Sequence, residues 1–405
     1  MSTPHTSLDA AAPFSHAVWM LLYIHVPFCR RKCRYCAFYS EGVGSASSSE
    51  RIALWADALL TDMRRSASEL GRPAVETVFF GGGTPSLLPP NIMGRILDEA
   101  AAQFRLAGGA EVSMEANPDS VPLERAKAFL AAGVNRVSLG VQALDDALLS
   151  SIGRIHDKSA ALAAYRSLRE AGCRNVGMDF IWGLPGETLE LWEKQLEEAA
   201  QLGPDHLSCY GLTLEEGTPL YQERETLLLP DEDTQASMYL RCGEILEQHG
   251  YRQYEISNYA RPEHACRHNL GYWLGADYLG LGPGAVSTIA GRRWSQPEDL
   301  SVWLEAVRSG RSAALIEELD SISRLEETIM LRLRMAEGLP FSLYHELTGH
   351  DFLADNVALI PALEQEGLAL IEDGHLRLTR KGMLISNSII EQCFENMPAL
   401  EPTAL

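Results

Sequence analysis

Between residues 19 and 220 the sequence alternates short apolar runs, rich in Val, Ile, Phe and Tyr, with amphipathic segments of helical period. This alternation is typical of repeated βα units, in which parallel strands are connected by helices. Six such units predict an α/β fold with a six-stranded partial (β/α) barrel. A closed eight-stranded barrel is the alternative, although the apolar segments after Thr213 are irregular. The six predicted strands are residues 21–26, 77–80, 111–116, 136–141, 175–181 and 206–212.

A length of 405 residues exceeds what a single hydrophobic core usually holds, so we expect several modules. We predict a flexible tail at 1–18, the partial barrel at 19–214, an extension rich in glycine and aromatic residues at 215–312, and a C-terminal domain at 313–405. In the last segment, three predicted helices followed by a hairpin resemble a small winged-helix domain.

Acidic residues outnumber basic ones, and the formal net charge is -21. Binding to nucleic acid or anionic lipid depends on Lys and Arg, so both are disfavoured as partners. No stretch reaches the roughly 18 uninterrupted apolar residues of a membrane span. The first fifteen residues lack the basic and apolar parts of a signal peptide. These features predict a cytoplasmic protein without a membrane span.

Three of the eight cysteines, Cys29, Cys33 and Cys36, lie in one loop directly after the first predicted strand. Such spacing in a reducing compartment is typical of metal binding rather than of disulfides. Thiolates suit an iron-sulfur cluster or zinc, and the basic residues between the cysteines favour the ionised thiols. Three thiolates would leave one iron of a [4Fe-4S] cluster open. A structural zinc ion would need a fourth ligand, from His25 or a distant cysteine.

Polar residues also lie where the predicted strands end, which is the edge at which barrel enzymes keep their sites. The second strand ends in the glycine tract 81–83, where backbone groups could approach a ligand closely. Glu115, Gln142 and Asp179 fall near the ends of strands three, four and five, and Arg154 follows Gln142. Each could equally be a structural polar group, but together with the cysteines they predict a ligand site.

The Cys-x3-Cys-x2-Cys spacing, with Tyr35 before the last cysteine, resembles the signature of the radical S-adenosylmethionine (SAM) superfamily, and in particular its coproporphyrinogen-type branch. The segments 183–187 (Gly-Leu-Pro-Gly-Glu) and 378–382 (Leu-Thr-Arg-Lys-Gly) resemble the same branch. The resemblance implies a partial barrel, a [4Fe-4S] cluster on the three cysteines, and SAM on the open iron. It also implies SAM contacts from Tyr23, Gly83, Thr84, Glu115, Gln142, Arg154 and Asp179.

Two features distinguish members of this branch. Its oxygen-independent coproporphyrinogen dehydrogenases have a fourth cysteine two residues beyond the third, where this chain has Phe38. Residues 268–273 (His-Asn-Leu-Gly-Tyr-Trp) are similar instead to a motif of the haem chaperones. An imidazole can bind haem iron axially, and aromatic rings can stack on a porphyrin. The resemblance therefore implies haem binding by His268.

Two other interpretations of this motif remain open. His264 and Cys266 are competing haem ligands because they lie within a few residues of His268. Alternatively, Tyr272 and Trp273 are core residues and His268 is their hydrogen-bonded neighbour.

The sequence thus supports two functions from different classes. The first is a haem chaperone that binds haem and transfers it to an acceptor protein, carrying a [4Fe-4S] cluster and SAM. The second is an enzyme that oxidatively decarboxylates a porphyrinogen propionate by radical chemistry. Phe38 and the 268–273 motif favour the first. The expected partners are a haem acceptor protein and an electron donor for the cluster, and either a monomer or a dimer fits the sequence.

Overall fold

The computed structural model describes residues 20–44, 48–310 and 315–400, so the predicted tail at 1–18 lies outside the described residues. The strands are β1 Met20–Val26, β2 Phe28–Cys29, β3 Glu41–Gly42, β4 Ala74–Gly82, β5 Arg105–Ala116, β6 Arg136–Gln142, β7 Val176–Trp182, β8 His206–Gly211, β9 Arg252–Glu255, β10 Asn258–Ala260, β11 Asp277–Leu281, β12 Val286–Ile289, β13 Arg292–Ser295, β14 Leu315–Glu318, β15 Leu339–Pro340, β16 Ala369–Glu372 and β17 His375–Leu378.

The helices are α1 Ser48–Glu69, α2 Pro90–Gln103, α3 Leu123–Ala131, α4 Asp146–Ser151, α5 Lys158–Glu170, α6 Leu189–Leu202, α7 Pro219–Gln222, α8 Glu232–Gln248, α9 Arg267–Trp273, α10 Leu300–Ser309, α11 Ser321–Arg332, α12 Phe341–Thr348, α13 Phe352–Asp355, α14 Leu359–Gln365, α15 Arg380–Leu384 and α16 Ser386–Glu395.

One large sheet forms the centre of the molecule, in the order β14-β13-β12-β11-β1-β4-β5-β6-β7-β8-β10-β9. Its middle strands β1, β4, β5, β6, β7 and β8 are parallel and coincide with the six strands predicted from the sequence. The edge strands β14 and β9 do not pair with each other in the part of the chain that the structure describes. The prediction of an α/β fold with a partial barrel is confirmed.

The sheet continues beyond the six predicted strands at both edges. Strand β11 pairs with β1 in parallel, so it is a seventh parallel strand, and β12 to β14 follow it as antiparallel neighbours. At the other edge, β10 and β9 add to β8 in antiparallel orientation. Much of the predicted extension at 215–312 therefore belongs to the same sheet, while the proposed domain boundaries stay a prediction.

The outer face of the parallel strands is apolar and is covered by helices. In β1 the alternate residues Leu22, Ile24 and Val26 are buried in the main hydrophobic core. Helix α1 contributes Trp55 and Leu59 among its buried residues, at the spacing that places side chains on one helix face. This burial accounts for the βα alternation in the sequence.

The inner face of the barrel carries polar and charged side chains instead. Glu111 of β5, Arg136 of β6 and His206 of β8 are all buried, and Asp179 of β7 accepts hydrogen bonds from the serines at 138 and 208. A barrel interior lined in this way is suited to polar or charged ligands, because buried polar groups require partners.

Helix α9 contacts the barrel near the amino-terminal half of β4 and the middle of β5, and we call it the floor helix. The carboxylate of Glu111 accepts hydrogen bonds from the backbone N–H groups of Arg267 and His268, at 3.0 and 3.2 Å, and from the Cys266 thiol at 3.4 Å. The Arg267 guanidinium pairs with the buried carboxylate of Glu76. The floor helix is therefore fixed by charge-assisted hydrogen bonds rather than by apolar packing alone.

The C-terminal region forms a second hydrophobic core around a three-stranded antiparallel sheet, ordered β15-β17-β16. Helices α11 to α16 surround this sheet, in the helix-and-hairpin order expected of a winged-helix-like domain. The guanidinium of Arg380 in α15 pairs with Glu247 of α8, which ties this region to the barrel. Among the described helices, none combines the length and the apolar character needed to cross a bilayer.

The attachment of the floor helix leads to a stability prediction. Replacing Glu111 by Ala leaves two backbone N–H groups, the Cys266 thiol and the Ser113 hydroxyl without their acceptor, and we expect a loss of about 2–4 kcal/mol in the free energy of unfolding. Chemical denaturation measures this change in the free energy of unfolding. The matched control is Glu124→Ala, whose side chain is 83% exposed and which should change stability by no more than about 0.5 kcal/mol. Equal effects of the two substitutions would contradict the assigned role of Glu111.

Candidate cluster and cofactor site

The three clustered cysteines lie in the loop that follows β1. Cys29 ends the short strand β2, which pairs with β3, and the Cys36 N–H donates to the Cys33 carbonyl at 3.3 Å. All three thiols are free and partly exposed, whereas the other five cysteines are buried. The loop therefore presents three accessible thiols at the carboxyl end of the first barrel strand.

In the described part of the chain, the three thiols do not form a site for a single metal ion. Among the described residues, no group of three or more His, Cys, Asp or Glu side chains is placed to hold a single metal ion. The other candidate zinc ligands have partners elsewhere: His25 is hydrogen-bonded to Tyr23 and to the Tyr39 carbonyl, and Cys266 to Glu111. Three cysteines match the ligand set of an iron-sulfur cluster with one open iron, because each cysteine in a cluster binds its own iron.

A hydrogen-bond network connects two of the cysteines to the neighbouring strand ends. Thr84 donates to the Cys29 sulfur at 3.5 Å, and Arg154 donates to the Cys33 sulfur at 3.3 Å. Asn117 lies between them: its amide donates to Thr84 at 3.1 Å, and its Oδ1 accepts from Arg154 at 2.8 Å. This network therefore connects the cysteine loop to the strand ends that carry Thr84 and Asn117.

The sequence interpretation missed Asn117, although it follows the third strand by one residue. The signal was available, since Asn117 lies two residues after Glu115 and precedes a proline at a predicted strand end. A small pocket opens beside it and is lined by Cys33, Thr84, Asn117 and Arg154 among others. Arg154 Nε is buried there without a hydrogen-bond partner in the described part of the chain. The pocket thus offers an unused donor next to the cysteine loop.

Gly83 allows the backbone of β4 to reach the cysteine loop. The Gly83 N–H donates to the Val26 carbonyl at 2.8 Å, and the Thr84 N–H donates to the Phe28 carbonyl at 2.7 Å. A Cβ atom at position 83 would lie only 2.7 to 2.8 Å from backbone atoms of Phe28 and Val26. The absence of a side chain therefore permits the contact that holds the loop, while a direct contact of Gly83 with SAM stays a prediction.

Glu115 and Asp179 lie deeper, on the inner face of the barrel. Glu115 accepts a hydrogen bond from the Gly82 N–H at 3.1 Å, and Asp179 accepts from Ser138 and Ser208 at 2.8 and 2.7 Å. Burial, together with the charge of Asp179, raises the pKa of Glu115 to about 8. Burial also raises the pKa of Asp179. A cationic ligand in the barrel would favour the ionised forms of both carboxyl groups.

Tyr23 and Gln142 complete the set of predicted SAM contacts. Tyr23 faces the barrel interior, where its hydroxyl lies 3.1 Å from His25 Nδ1 and its ring stacks on Phe79. Gln142 ends β6 with a φ of 68°, in the left-handed region that non-glycine residues rarely adopt. Such strain at the end of a barrel strand is typical of functional positions, because the side chain is redirected there. The structure brings these two residues to the same barrel as the cysteine loop.

His268 lies away from the cysteine loop, in the floor helix. Its Nδ1 is 2.6 Å from the Thr77 hydroxyl, and its Nε2 is 3.2 Å from the Tyr272 hydroxyl. Burial, followed by the charge of Arg136, lowers the pKa of His268 to about 3, so the ring is neutral. The interpretation of His268 as a hydrogen-bonded neighbour of aromatic residues thus describes its environment correctly.

The competing haem ligands differ in their surroundings. Cys266 is buried, and burial raises its pKa to about 12, so it remains a thiol and is a poor ligand in this state. His264 is partly exposed, and its Nδ1 is buried without a partner among the described residues. Trp273 is partly exposed at the end of the floor helix. The motif residues are therefore adjacent to one another but separate from the cysteine loop.

Comparison with known proteins shows which family this chain resembles. A family model described as the radical SAM superfamily matches residues 23–222, and one described as the HemN C-terminal domain matches residues 319–385. The haem chaperones HemW of Mycobacterium tuberculosis and Escherichia coli are each 35% identical to this chain over 91% of its length, which covers 93% and 97% of those proteins.

A vertebrate protein and a solved structure are also similar to this chain. Radical S-adenosyl methionine domain-containing protein 1, mitochondrial, from Danio rerio is 34% identical over 93% of this chain and 87% of that protein. The structure of coproporphyrinogen III oxidase (HemN) from Escherichia coli superposes with a TM-score of 0.79 at 24% identity, covering 93% of this chain and 90% of the other. At that identity the similarity shows a shared fold.

The raised pKa of Glu115 predicts how stability depends on pH. The folded, cofactor-free protein retains this proton up to about pH 8, whereas the unfolded chain releases it near pH 4.5. The contribution of Glu115 to stability is therefore complete below about pH 4.5 and is lost as the pH rises toward 8. Glu115→Gln does not titrate. We therefore expect the difference in unfolding free energy, variant minus wild type, to increase by at most a few kcal/mol between pH 5 and pH 8.

Denaturant unfolding at several pH values between 5 and 8 measures this difference. The control is Glu124→Gln, at an exposed position, which should give a difference from wild type that does not vary with pH. A pH-independent difference for Glu115→Gln as well would show that the Glu115 pKa is not raised.

Proposed function

Because this chain belongs to the HemN-like branch of the radical SAM superfamily, close to the haem chaperones HemW, we propose that it binds haem and transfers it to an acceptor protein. The observation that carries the proposal is the 35% identity to two bacterial haem chaperones across 91% of the chain. The two family models cover the cysteine loop and much of the C-terminal region.

A [4Fe-4S] cluster on Cys29, Cys33 and Cys36, with SAM at its open iron, is the cofactor set of this protein. Three accessible thiols, with hydrogen-bond donors at two of them, support the assignment. When bound, the cluster and SAM together supply one-electron reductive chemistry. The proposed SAM contacts are Tyr23, Gly83, Thr84, Glu115, Gln142, Arg154 and Asp179. Of these, Arg154 can pair with a carboxylate, and Glu115 and Asp179 can accept hydrogen bonds from an ammonium or from hydroxyls.

Phe38 supports the chaperone over the porphyrinogen dehydrogenase. Its side chain is 66% exposed at the position where the dehydrogenases have a fourth cysteine, so this position contributes no ligand. The shared fold with the Escherichia coli oxidase does not favour the dehydrogenase activity, since that similarity is at 24% identity. Haem binding and porphyrinogen turnover are therefore the two outcomes that an experiment must separate.

His268 in the floor helix is the proposed axial ligand of haem, with Tyr272 and Trp273 as the flanking aromatic residues. His264, with a buried and unpartnered Nδ1, is the alternative ligand. The proposed partners are the haem acceptor and a reductant for the cluster. We propose the cytoplasm as the location. The Danio rerio relative is named as mitochondrial, so cell fractionation is the direct test of the compartment.

The cluster assignment predicts the effect of losing a thiol. Replacing Cys29, Cys33 or Cys36 by Ser should abolish the broad visible absorption of the anaerobically reconstituted protein, because each thiolate binds a separate iron. The control is Cys393→Ser, in the second hydrophobic core, which should keep that absorption. A full cluster spectrum in any of the three loop variants would remove that cysteine from the ligand set.

The haem assignment predicts saturable binding. An anaerobic haem titration followed by visible absorption should show one haem per chain, and His268→Ala should weaken it at least about tenfold, as expected for loss of a metal ligand. His350→Ala, at a half-exposed histidine of the C-terminal region, is the control and should bind haem like wild type. No binding by the wild type, combined with release of deoxyadenosine that depends on coproporphyrinogen, would favour the dehydrogenase instead.

A further inference from the structure

The guanidinium group of Arg154 is held by acceptors from three separate parts of the chain. Its Nη2 donates to the Asn117 Oδ1 at 2.8 Å and to the Gly140 carbonyl at 2.7 Å, and its Nη1 donates to the Cys33 sulfur at 3.3 Å. A guanidinium group has five N–H donors. The Nε–H and one N–H of Nη1 therefore have no acceptor among the described residues, although Nε is buried. These two donors of a fixed cation are left for a ligand.

The chemistry of its partner fixes the orientation of the Asn117 amide. A guanidinium group only donates, so the amide atom that faces Arg154 is Oδ1. The Nδ2 group then faces the Thr84 hydroxyl, to which it donates at 3.1 Å. The main chain of Asn117 is held as well, because its N–H donates to the Ser86 hydroxyl at 3.2 Å and its carbonyl accepts from the Ser120 hydroxyl at 2.6 Å. Asn117 is thus a fixed acceptor for the guanidinium group.

The pocket beside Asn117 has an excess of positive charge. It is lined by the guanidinium groups of Arg30, Arg31 and Arg154 and, among the described residues, by one carboxylate, that of Asp119. Asp119 pairs with Arg30 at 2.8 Å, which leaves the other two guanidinium groups without a carboxylate partner in the described part of the chain. The chain as a whole has a net charge of -21, so this excess is local. Such a pocket is suited to a carboxylate group of a ligand.

The amide at position 117 is neutral, and this preserves the charge of Arg154. Two of the three acceptors on the guanidinium group, the Asn117 amide and the Gly140 carbonyl, carry no charge. An aspartate at position 117 would have almost the same shape, but it would form an ion pair with Arg154. It would also repel a carboxylate that enters the pocket. Asparagine therefore orients the guanidinium group without neutralising it.

Resting on the proposed function, in which SAM is the ligand, we propose that Asn117 is the positioning residue for Arg154. It holds the guanidinium group so that the two free N–H donors bind the carboxylate of SAM. Its neutral amide makes the pocket select a ligand that carries a carboxylate. Asn117 acts through Arg154, and the step involves hydrogen bonds only, without transfer of a proton or an electron.

The first test compares equilibrium binding of SAM and of decarboxylated SAM, which lacks only the carboxylate, to the anaerobically reconstituted protein. Visible absorption of each sample gives the cluster content, and affinities are compared per cluster. The wild type should prefer SAM. Asn117→Asp should weaken SAM binding at least about tenfold without weakening that of decarboxylated SAM. Asn117→Ala, which removes the acceptor and adds no charge, should weaken SAM binding about three- to tenfold.

The matched control is Asn135→Asp, which adds the same charge at the opposite end of β6. The Asn135 side chain accepts from the Val112 N–H at 2.9 Å and donates to the Ala110 carbonyl at 2.9 Å, so it does not contact Arg154. This variant should bind both ligands like wild type. A second test combines Asn117→Asp with Arg154→Gln. The double variant should bind SAM no more weakly than Arg154→Gln alone, because Asn117 acts through Arg154.

The outcomes separate this inference from the proposed function. If the wild type binds SAM and decarboxylated SAM equally well, or if Asn117→Asp weakens the binding of both to the same extent or of neither, the role of Asn117 is wrong while the cluster, SAM and haem assignments stand. A further loss in the double variant would also contradict positioning through Arg154. Absence of SAM binding by the wild type with a full cluster would overturn the SAM assignment together with this inference, whereas the haem titration tests the chaperone separately.

Discussion

The parallel pairing of β1 with β4 is the contact on which the whole candidate site depends. It continues past the ends of both strands, where the N–H groups of Gly83 and Thr84 donate to the carbonyls of Val26 and Phe28. This backbone contact brings the cysteine loop beside the Thr84 hydroxyl. From there the hydrogen bonds run through Asn117 to Arg154 and back to Cys33. The site is thus held together by main-chain hydrogen bonds at Gly83 and Thr84. Its other side chains come from the ends of β5, β6 and β7 or from the segments that follow them.

The parts of the fold that the sequence predicted are those with a long, repeated pattern. Each of the six barrel strands buries alternate residues under helices, so the apolar runs and helical periods recur for about 200 residues. The prediction failed to find β11 and the floor helix because both are short. Strand β11 has five residues and the floor helix has seven, so neither repeats its pattern often enough to stand out from the surrounding sequence. Their positions depend on tertiary contacts, above all on Glu111 and Glu76, which lie more than 150 residues earlier in the chain.

The sequence indicated which residues lie at the candidate site, but it did not indicate how they are arranged there. Resemblance to a family identified the cysteines and the residues at the strand ends, and the structure places these residues at one barrel. The role of Asn117 as a bridge and the left-handed backbone of Gln142 could not be derived, because both result from how separate strands end beside one another. For His268 the sequence left two interpretations, a core residue or a haem ligand. The structure shows a buried ring hydrogen-bonded to Thr77 and Tyr272, as the first interpretation describes, and haem binding by His268 stays a proposal.

The charges inside the barrel connect its two ends. Glu115 and Asp179 lie on the side of the cysteine loop, and Glu111 and Arg136 lie beside the floor helix. Without a cationic ligand, burial and mutual repulsion keep the pKa of Glu115 raised, and Arg136 is the internal cation that opposes this effect. A cationic ligand bound near Glu115 would lower that pKa and release a proton at neutral pH. Burial, followed by the charge of the same Arg136, lowers the pKa of His268 to about 3 and keeps its ring neutral. One buried guanidinium therefore acts on the protonation of Glu115 at one end of the barrel and of His268 at the other.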